Sequence, residues 1–208
     1  MAYPVSIVVQ PQFERRNRLT VAFRLILAIP HAILVGPIFG ASRAGSAGLL
    51  AAASYFLAIV SWFTILFTGE HLKGIRDFTV YYLRWRARAS AYMALFVDPY
   101  PTFGDGLYPV SVDVIDPPSP RDRTAVALRL LLAIPHLVVL FFLLIGWLVT
   151  TVIAWFAILV TGAYPPSFYP FGAGVMRWML RVEAYLLLLV DEYPPFALEL
   201  DDRRDETA

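Results

Sequence analysis

Most of this chain occurs twice, and that duplication constrains its fold more than any other feature. Tyr3-Pro4-Val5-Ser6 recurs as Tyr108-Pro109-Val110-Ser111. Arg24-Leu25-Ile26-Leu27-Ala28-Ile29-Pro30-His31 recurs as Arg129-Leu130-Leu131-Leu132-Ala133-Ile134-Pro135-His136, at the same offset of 105. Beyond this the offset falls to 93: Trp62-Phe63 and Thr68-Gly69 match Trp155-Phe156 and Thr161-Gly162. Arg84-Trp85, Arg88, Tyr92, Asp98 and Tyr100-Pro101 then match Arg177-Trp178, Arg181, Tyr185, Asp191 and Tyr193-Pro194. The first copy therefore carries a 12-residue insertion, placed in the Gly/Ser/Ala-rich stretch 36–48. Ordered matches with a single gap are the signature of an internal repeat, dividing the chain into units 1–104 and 105–208.

Each unit reads in the same order. Val5, Ile7 and Val9, and again Val110, Val112 and Val114, stand in period-two alternation, which predicts a short strand. Phe196 to Asp201 alternates in the same way. Two apolar runs follow in each unit, at 19–39 and 49–67 and at 125–145 and 147–160. About 20 apolar residues cross a bilayer core, so these runs predict a transmembrane hairpin per unit, the second turning tightly at Gly146. Gly69 and Gly162 stand where a helix C-cap belongs. A third helix is expected over 78–97 and 171–190. Its apolar stripe, with Trp and Tyr beside arginines, suits a helix lying in the headgroup region. The expected fold is thus mainly α and membrane-integral: two tandem repeats of a hairpin plus an amphipathic interface helix, with short cytoplasmic strands.

Composition supports lipid contact. The chain is 59% hydrophobic and only 16% charged, with mean hydropathy +0.63, against about a quarter charged in soluble domains. A net charge of +1 gives no reason to expect nucleic acid as a partner. The absence of cysteine excludes disulfides, thiolate nucleophiles and thiolate metal sites. Glu14, Arg15 and Arg16 interrupt the N-terminal segment, so the first apolar run is expected to stay as an anchor. Arg15, Arg16, Arg18, Lys73, Arg76, Arg84, Arg121, Arg123, Arg177 and Arg181 fall on the terminal side of the hairpins and only Arg43 in a tip. The positive-inside rule then predicts a multi-pass protein of the cell membrane with both termini cytoplasmic. The axis relating the units would run along the membrane normal.

The recurring motifs are Arg-Leu-x-x-Ala-Ile-Pro-His, Trp-Phe-x-Ile-Leu-x-Thr-Gly, Arg-Trp and Asp-x-Tyr-Pro-Pro-Phe. They stand at 24–31, 62–69, 84–85 and 98–103, and again at 129–136, 155–162, 177–178 and 191–196. Together they resemble an actinobacterial-type membrane family, that of domain of unknown function 4389, over nearly the whole chain. The first copy departs at Thr102, where Pro is usual, and at Glu70-His71, where Tyr or Phe followed by Pro is usual. The resemblance implies an architecture and no activity.

Among candidate sites, Arg24 and His31 lie two helical turns apart on one face, and Arg129 and His136 repeat them. Such groups at membrane depth point at a partner, a cavity or the interface. If the units meet about an axis, His31 and His136 would converge on haem, a metal ion, a proton path or an anionic headgroup. The alternative is that each His satisfies the backbone distorted by the preceding proline. Arg84 and Arg88, and Arg177 and Arg181, are spaced to contact lipid phosphates, or to snorkel and pair with Asp98 and Asp191. Asp98 and Asp191 read as ion pairs or turn residues rather than catalysts. No phosphate loop, HExxH, nucleophile elbow or dinucleotide fingerprint is present. The expected function is a non-enzymatic scaffold or accessory subunit, its partners being membrane lipids, other membrane subunits or a second copy. A small carrier or lipid-binding protein using the seam between the two repeats, and a bis-His haem-binding membrane protein, are the alternatives.

Overall fold

A computed structural model describes residues 3–37, 48–102, 106–117 and 119–198, and shows a mainly helical chain with few strands. The alternating segments form the strands they predict, β1 (Val5–Val9) and β2 (Val110–Val114). These pair antiparallel with Ile7 opposite Val112 at the centre, making a two-stranded ribbon. Val5, Ile7, Val9, Val110 and Val112 are buried, while Ser111 and Asp113 face outward. Phe196 to Leu198 adopt no strand, and residues 199–201, like Arg43 in the insertion, lie outside the described residues.

After β1 come α1 (Arg18–Ala22), α2 (Arg24–Leu27) and α3 (Ile29–Val35). Bonds from Phe23 N–H to Leu19 C=O, Ala28 N–H to Arg24 C=O and Ala32 N–H to Ala28 C=O carry the helical ladder across both breaks. The three pieces therefore act as one irregular helix, followed by α4 (Leu49–Thr68) and α5 (Lys73–Met93). The second copy has α6 (Arg123–Thr161) and then α7 (Tyr169–Leu186). Helices α4 and α6 are long and apolar enough to cross a membrane. Asn17 and Asp122 cap the starts of α1 and α6 through side-chain oxygens, and Gly69 and Gly162 end α4 and α6 at φ 80° and 78°.

Two expectations are corrected. Among the described residues neither hairpin forms: α6 runs unbroken for 39 residues, through Gly146, and the Trp155–Val21 and Trp62–Val126 bonds set the start of α1 and the end of α4 at opposite ends of α6. A Cβ on Gly146 would stand 3.2 Å from the Phe171 ring, so this glycine gives α7 room to approach and makes no turn. The third helices also present no exposed amphipathic face. From Gly172 to Tyr185 every α7 residue but Arg177 is buried, and most of α5 from Thr79 onward is buried or half-buried. Their apolar stripes pack inward, and their polar residues bond within the protein.

The long helices each bury a single stripe. On α6 it comprises Val126, Arg129, Ala133, His136, Leu140, Trp147, Thr151, Ala154 and Ile158. Three- and four-residue steps of this kind keep one face inward. Val21, Arg24, Ala28, His31, Val35, Ser54, Ala58, Ser61 and Ile65 repeat it in the first copy. The remaining faces are exposed and apolar. The Trp62 indole N–H donates to Val126 C=O and that of Trp155 to Val21 C=O. Arg121 N–H bonds Gly69 C=O while Arg16 N–H bonds Gly162 C=O. The start of each copy's helix thus lies beside the end of the other's.

Close packing where α7 crosses α6 makes Gly172 intolerant of bulk, because a Cβ there would stand 2.8 Å from Trp147 Nε1 and 2.9 Å from the Phe96 ring. Gly172→Val is expected to cost about 1–3 kcal/mol through overpacking, seen as a lower Tm in detergent. An unchanged Tm would show that α7 does not pack this closely.

Candidate functional site

Each copy builds the same polar cluster. In the first, Asp98 Oδ1 accepts from Arg16 Nε at 2.9 Å and Arg24 Nη2 at 2.8 Å, and Oδ2 accepts from the Asn17 N–H at 3.0 Å. Arg16 Nη1 donates to Leu95 C=O and Gln12 C=O at 2.6 and 2.7 Å, and the Arg24 guanidinium lies 3.9 Å over the Tyr92 ring. In the second, Asp191 accepts from Arg121 Nε at 2.6 Å and Arg129 Nη2 at 2.9 Å. Arg121 also donates to Leu188 C=O, Arg129 to Tyr185 C=O, and Arg129 covers the Tyr185 ring at 4.4 Å. The arginines are buried while each aspartate stays at the edge of solvent. Leu95 and Leu188 sit at φ 65° and 63°, a strained backbone for a leucine. The arginine bonds to their carbonyls help hold it.

The carboxylate electrostatics follow. Burial by itself would raise the Asp98 carboxyl, but the Arg16 and Asn17 hydrogen bonds and the charges of Arg16 and Arg24 hold it below its ordinary value. Of the two alternatives for Asp98 and Asp191, a turn residue or an ion pair, each makes ion pairs, with two arginines. Their partners, however, are Arg16/Arg24 and Arg121/Arg129, not Arg84/Arg88 and Arg177/Arg181. Arg16 and Arg121, the other two arginines of the clusters, lie outside the recurring motifs, and their spacing of 105 is what marks them as equivalents.

One further ring of contacts surrounds each histidine. The Trp85 indole N–H donates to His31 Nδ1 at 3.0 Å, and that of Trp178 to His136 Nδ1, also at 3.0 Å. Tyr100 packs on His31, with ring centroids 4.8 Å apart. Tyr193 packs on His136 at 4.7 Å, and Phe196 stacks on it at 4.0 Å. Phe103, the counterpart of Phe196, is outside the described residues. A Nδ1 that accepts belongs to a neutral imidazole carrying its proton on Nε2. The structure seats each histidine among residues of its own copy and does not bring the pair together at the seam. A haem iron or other metal at Nδ1 would have to displace the tryptophan donor. Among the described residues no group of three or more His, Cys, Asp or Glu is placed to hold a metal.

The seam holds a different cluster, which period and spacing did not reveal. Glu183 on α7 accepts from Tyr82 OH at 2.6 Å and Arg86 Nε at 2.8 Å, both on α5, and Tyr55 OH on α4 lies 3.4 Å away. Arg86 Nη1 continues to Val35 C=O at 2.6 Å. Their counterparts Ser90, Val175, Met179 and Leu148 lack this chemistry, so comparing the two copies residue by residue would have flagged the cluster as asymmetric.

Arg84, Arg177 and Arg181 face the ribbon or the interior. Arg84 Nε donates to Val112 C=O and Arg177 Nε to Ile7 C=O, both at 3.1 Å, so each third helix holds the other copy's strand. Arg88 donates to Gly106 C=O at 3.1 Å and lies 5.7 Å from the Tyr108 ring. Arg181 is wholly buried, its charge felt by the Tyr3 phenol, which removes it from any lipid phosphate.

With this geometry in view, the recurring motifs have a common use. Arg and His come from the long helix, Trp and Tyr from the third helix, and Asp, Tyr and Phe from the turn that follows it. A family model described as Domain of unknown function (DUF4389) matches residues 44–104 and 123–197, well over half of the chain. Neither a curated protein nor a solved structure matches it.

Two outcomes test the clusters. Asp98→Asn leaves two buried guanidinium groups without their carboxylate and should cost about 3 kcal/mol, the lower end for breaking a buried pair. The Asp98 contribution is present above its unfolded-state value of 3.8 and is lost as pH falls through the lower folded value. The Asp98→Asn destabilisation should therefore shrink in acid, as measured by thermal unfolding against pH. Trp178→Phe, which leaves the buried His136 Nδ1 without a donor, should cost about 1–3 kcal/mol. A neutral result would show that the indole–imidazole bond contributes nothing.

Proposed function

Because the chain belongs to the DUF4389 family, whose description assigns no activity, we propose a function from its own residues: a non-enzymatic membrane scaffold or accessory subunit. One observation carries this reading. The residues that recur in both copies are consumed in holding the fold together, and the surface left exposed along the long helices is apolar. Leu130, Leu131, Phe141, Phe142, Phe156 and Val160 on α6 are each at least half exposed, as are Phe56, Ile59 and Phe67 on α4. A continuous apolar face far larger than single scattered residues marks an interaction site, and for helices of this composition acyl chains are the fitting contact.

Lipid is therefore one partner of this surface. On the other side the ribbon exposes Ser111 and Asp113, a polar face on which a further protein or a second copy would dock. The membrane is the cell membrane. The polar layer faces the cytoplasm by the positive-inside argument, since Arg15, Arg18, Arg76 and Arg123 border the apolar helices. A catalytic role lacks support: Asp98, Asp191 and Glu183, each in its own cluster, are already engaged by arginine or tyrosine donors.

Extraction from native membrane in a mild detergent tests the reading. The expected outcome is a stoichiometric complex or a defined oligomer, which size-exclusion with light scattering reads directly. A strictly monomeric species with no co-purifying protein rejects a scaffold role.

A further inference from the structure

Resting on the membrane reading above, we propose that the long-helix pair lies within one leaflet, its axes near the membrane plane, and does not cross the bilayer. The ribbon then faces water directly above the middle of the pair.

The argument begins with the direction of the two helices. Trp62 reaches Val126 and Trp155 reaches Val21, so the α1–α4 run and α6 are antiparallel neighbours at both ends. The axis exchanging the two copies passes α6 halfway between Val126 and Trp155, near Leu140, whose equivalent is Val35. From that midpoint the layers follow in order. Val35 C=O accepts from Arg86, which pairs with Glu183 across α5 and α7. Two residues away on α5, Arg84 reaches Val112, while Arg177 on α7 reaches Ile7. Ile7 and Val112 are the central pair of the ribbon. The same axis thus runs from the middle of the long helices, through the third helices, to the ribbon centre.

This stacking decides the orientation. Were the long helices upright, the ribbon would sit at mid-depth with Ser111 and Asp113 turned toward acyl chains. A charged residue at the bilayer centre costs about 2.5–3.5 kcal/mol on insertion scales. Length argues the same way. At 1.5 Å per residue the 39 residues of α6 extend about 58 Å, nearly twice a hydrocarbon core of about 30 Å. A helix about 10 Å across fits inside the roughly 15 Å core of one leaflet. Its exposed face supports this: from Ala127 to Val160 every exposed residue of α6 is apolar, and Asp122, Arg123 and Thr124 mark one end. With neither hairpin formed, an in-plane pair also keeps both ends of each helix on one side, as the distribution of basic residues requires.

The chain's lack of cysteine makes the test direct. Single cysteines replace the exposed residues Arg18, Ser111, Arg123, Leu131, Phe142 and Phe156, the last three on the α6 face opposite its buried stripe. The variants are reconstituted in phosphatidylcholine/phosphatidylglycerol vesicles. A membrane-impermeant maleimide reads sidedness at Arg18→Cys, Arg123→Cys and Ser111→Cys. Nitroxide depth, from oxygen against nickel-chelate accessibility, reads Leu131→Cys, Phe142→Cys and Phe156→Cys. The expected result is that Arg18→Cys, Arg123→Cys and Ser111→Cys label from the same side, with the three α6 sites at matched depths short of the midplane. Labelling of Arg18→Cys and Arg123→Cys from opposite sides would mean that the helices cross, and overturns the proposal. So does Phe142→Cys much deeper than its neighbours, or reached from the far side, which means a hairpin. If all sites are water-accessible and the protein does not associate with vesicles, the membrane reading itself fails.

Discussion

Everything in this fold depends on two arginines meeting one aspartate, twice. Each cluster places two guanidinium groups in the protein interior against a single carboxylate, which leaves a net positive charge that the ion pair alone cannot neutralise. Desolvating charges costs several kcal/mol per ion unless the remaining donors are satisfied. The structure supplies those partners locally: the Leu95 and Leu188 carbonyls, the Gln12 and Tyr185 carbonyls, and the faces of Tyr92 and Tyr185. Because Arg16 and Arg121 precede the long helix, Arg24 and Arg129 lie on it, and the aspartates follow the third helix, each cluster ties three parts of its copy to one point. The tryptophan–histidine bond fastens the same two helices about two turns further along.

Each copy is nevertheless incomplete alone. Its strand is held by the other copy's third helix, its long helix ends against the other's start, and the Glu183–Arg86 pair closes the seam. This exchange turns a duplicated sequence into a layered body with one apolar and one polar side. The apolar side needs no further polar partner, since the helical backbone satisfies itself and the ionisable side chains of the buried stripe point inward. The asymmetry at Glu183, absent from the equivalent positions, shows that the two copies have diverged where they touch each other, while the outer clusters stay alike.

How much of this was legible follows from the range of the interactions involved. The strands, the caps at Gly69 and Gly162 and the duplicated Arg–His face are local or periodic, and period-two alternation, left-handed capping glycines and helical spacing announce them directly. Gly146 misled for a related reason. A glycine between two apolar runs marks a turn as readily as a close helix crossing, and only Phe171, 25 positions away, distinguishes them. The third helices misled because an apolar stripe beside arginines looks the same whether the arginines face phosphates or strand carbonyls.

By itself the sequence determined the duplication, the strand pairs' inward faces, the apolar surface and membership in its family, because these reside in composition, period and repeated motifs. Only the tertiary structure decided which acid each arginine meets, that the histidines accept from tryptophans of their own copy, and that the long helices run antiparallel under a ribbon. Those are contacts between residues tens to hundreds of positions apart. Several donors of equal chemistry compete for each acceptor, and chain topology rather than affinity selects the partner.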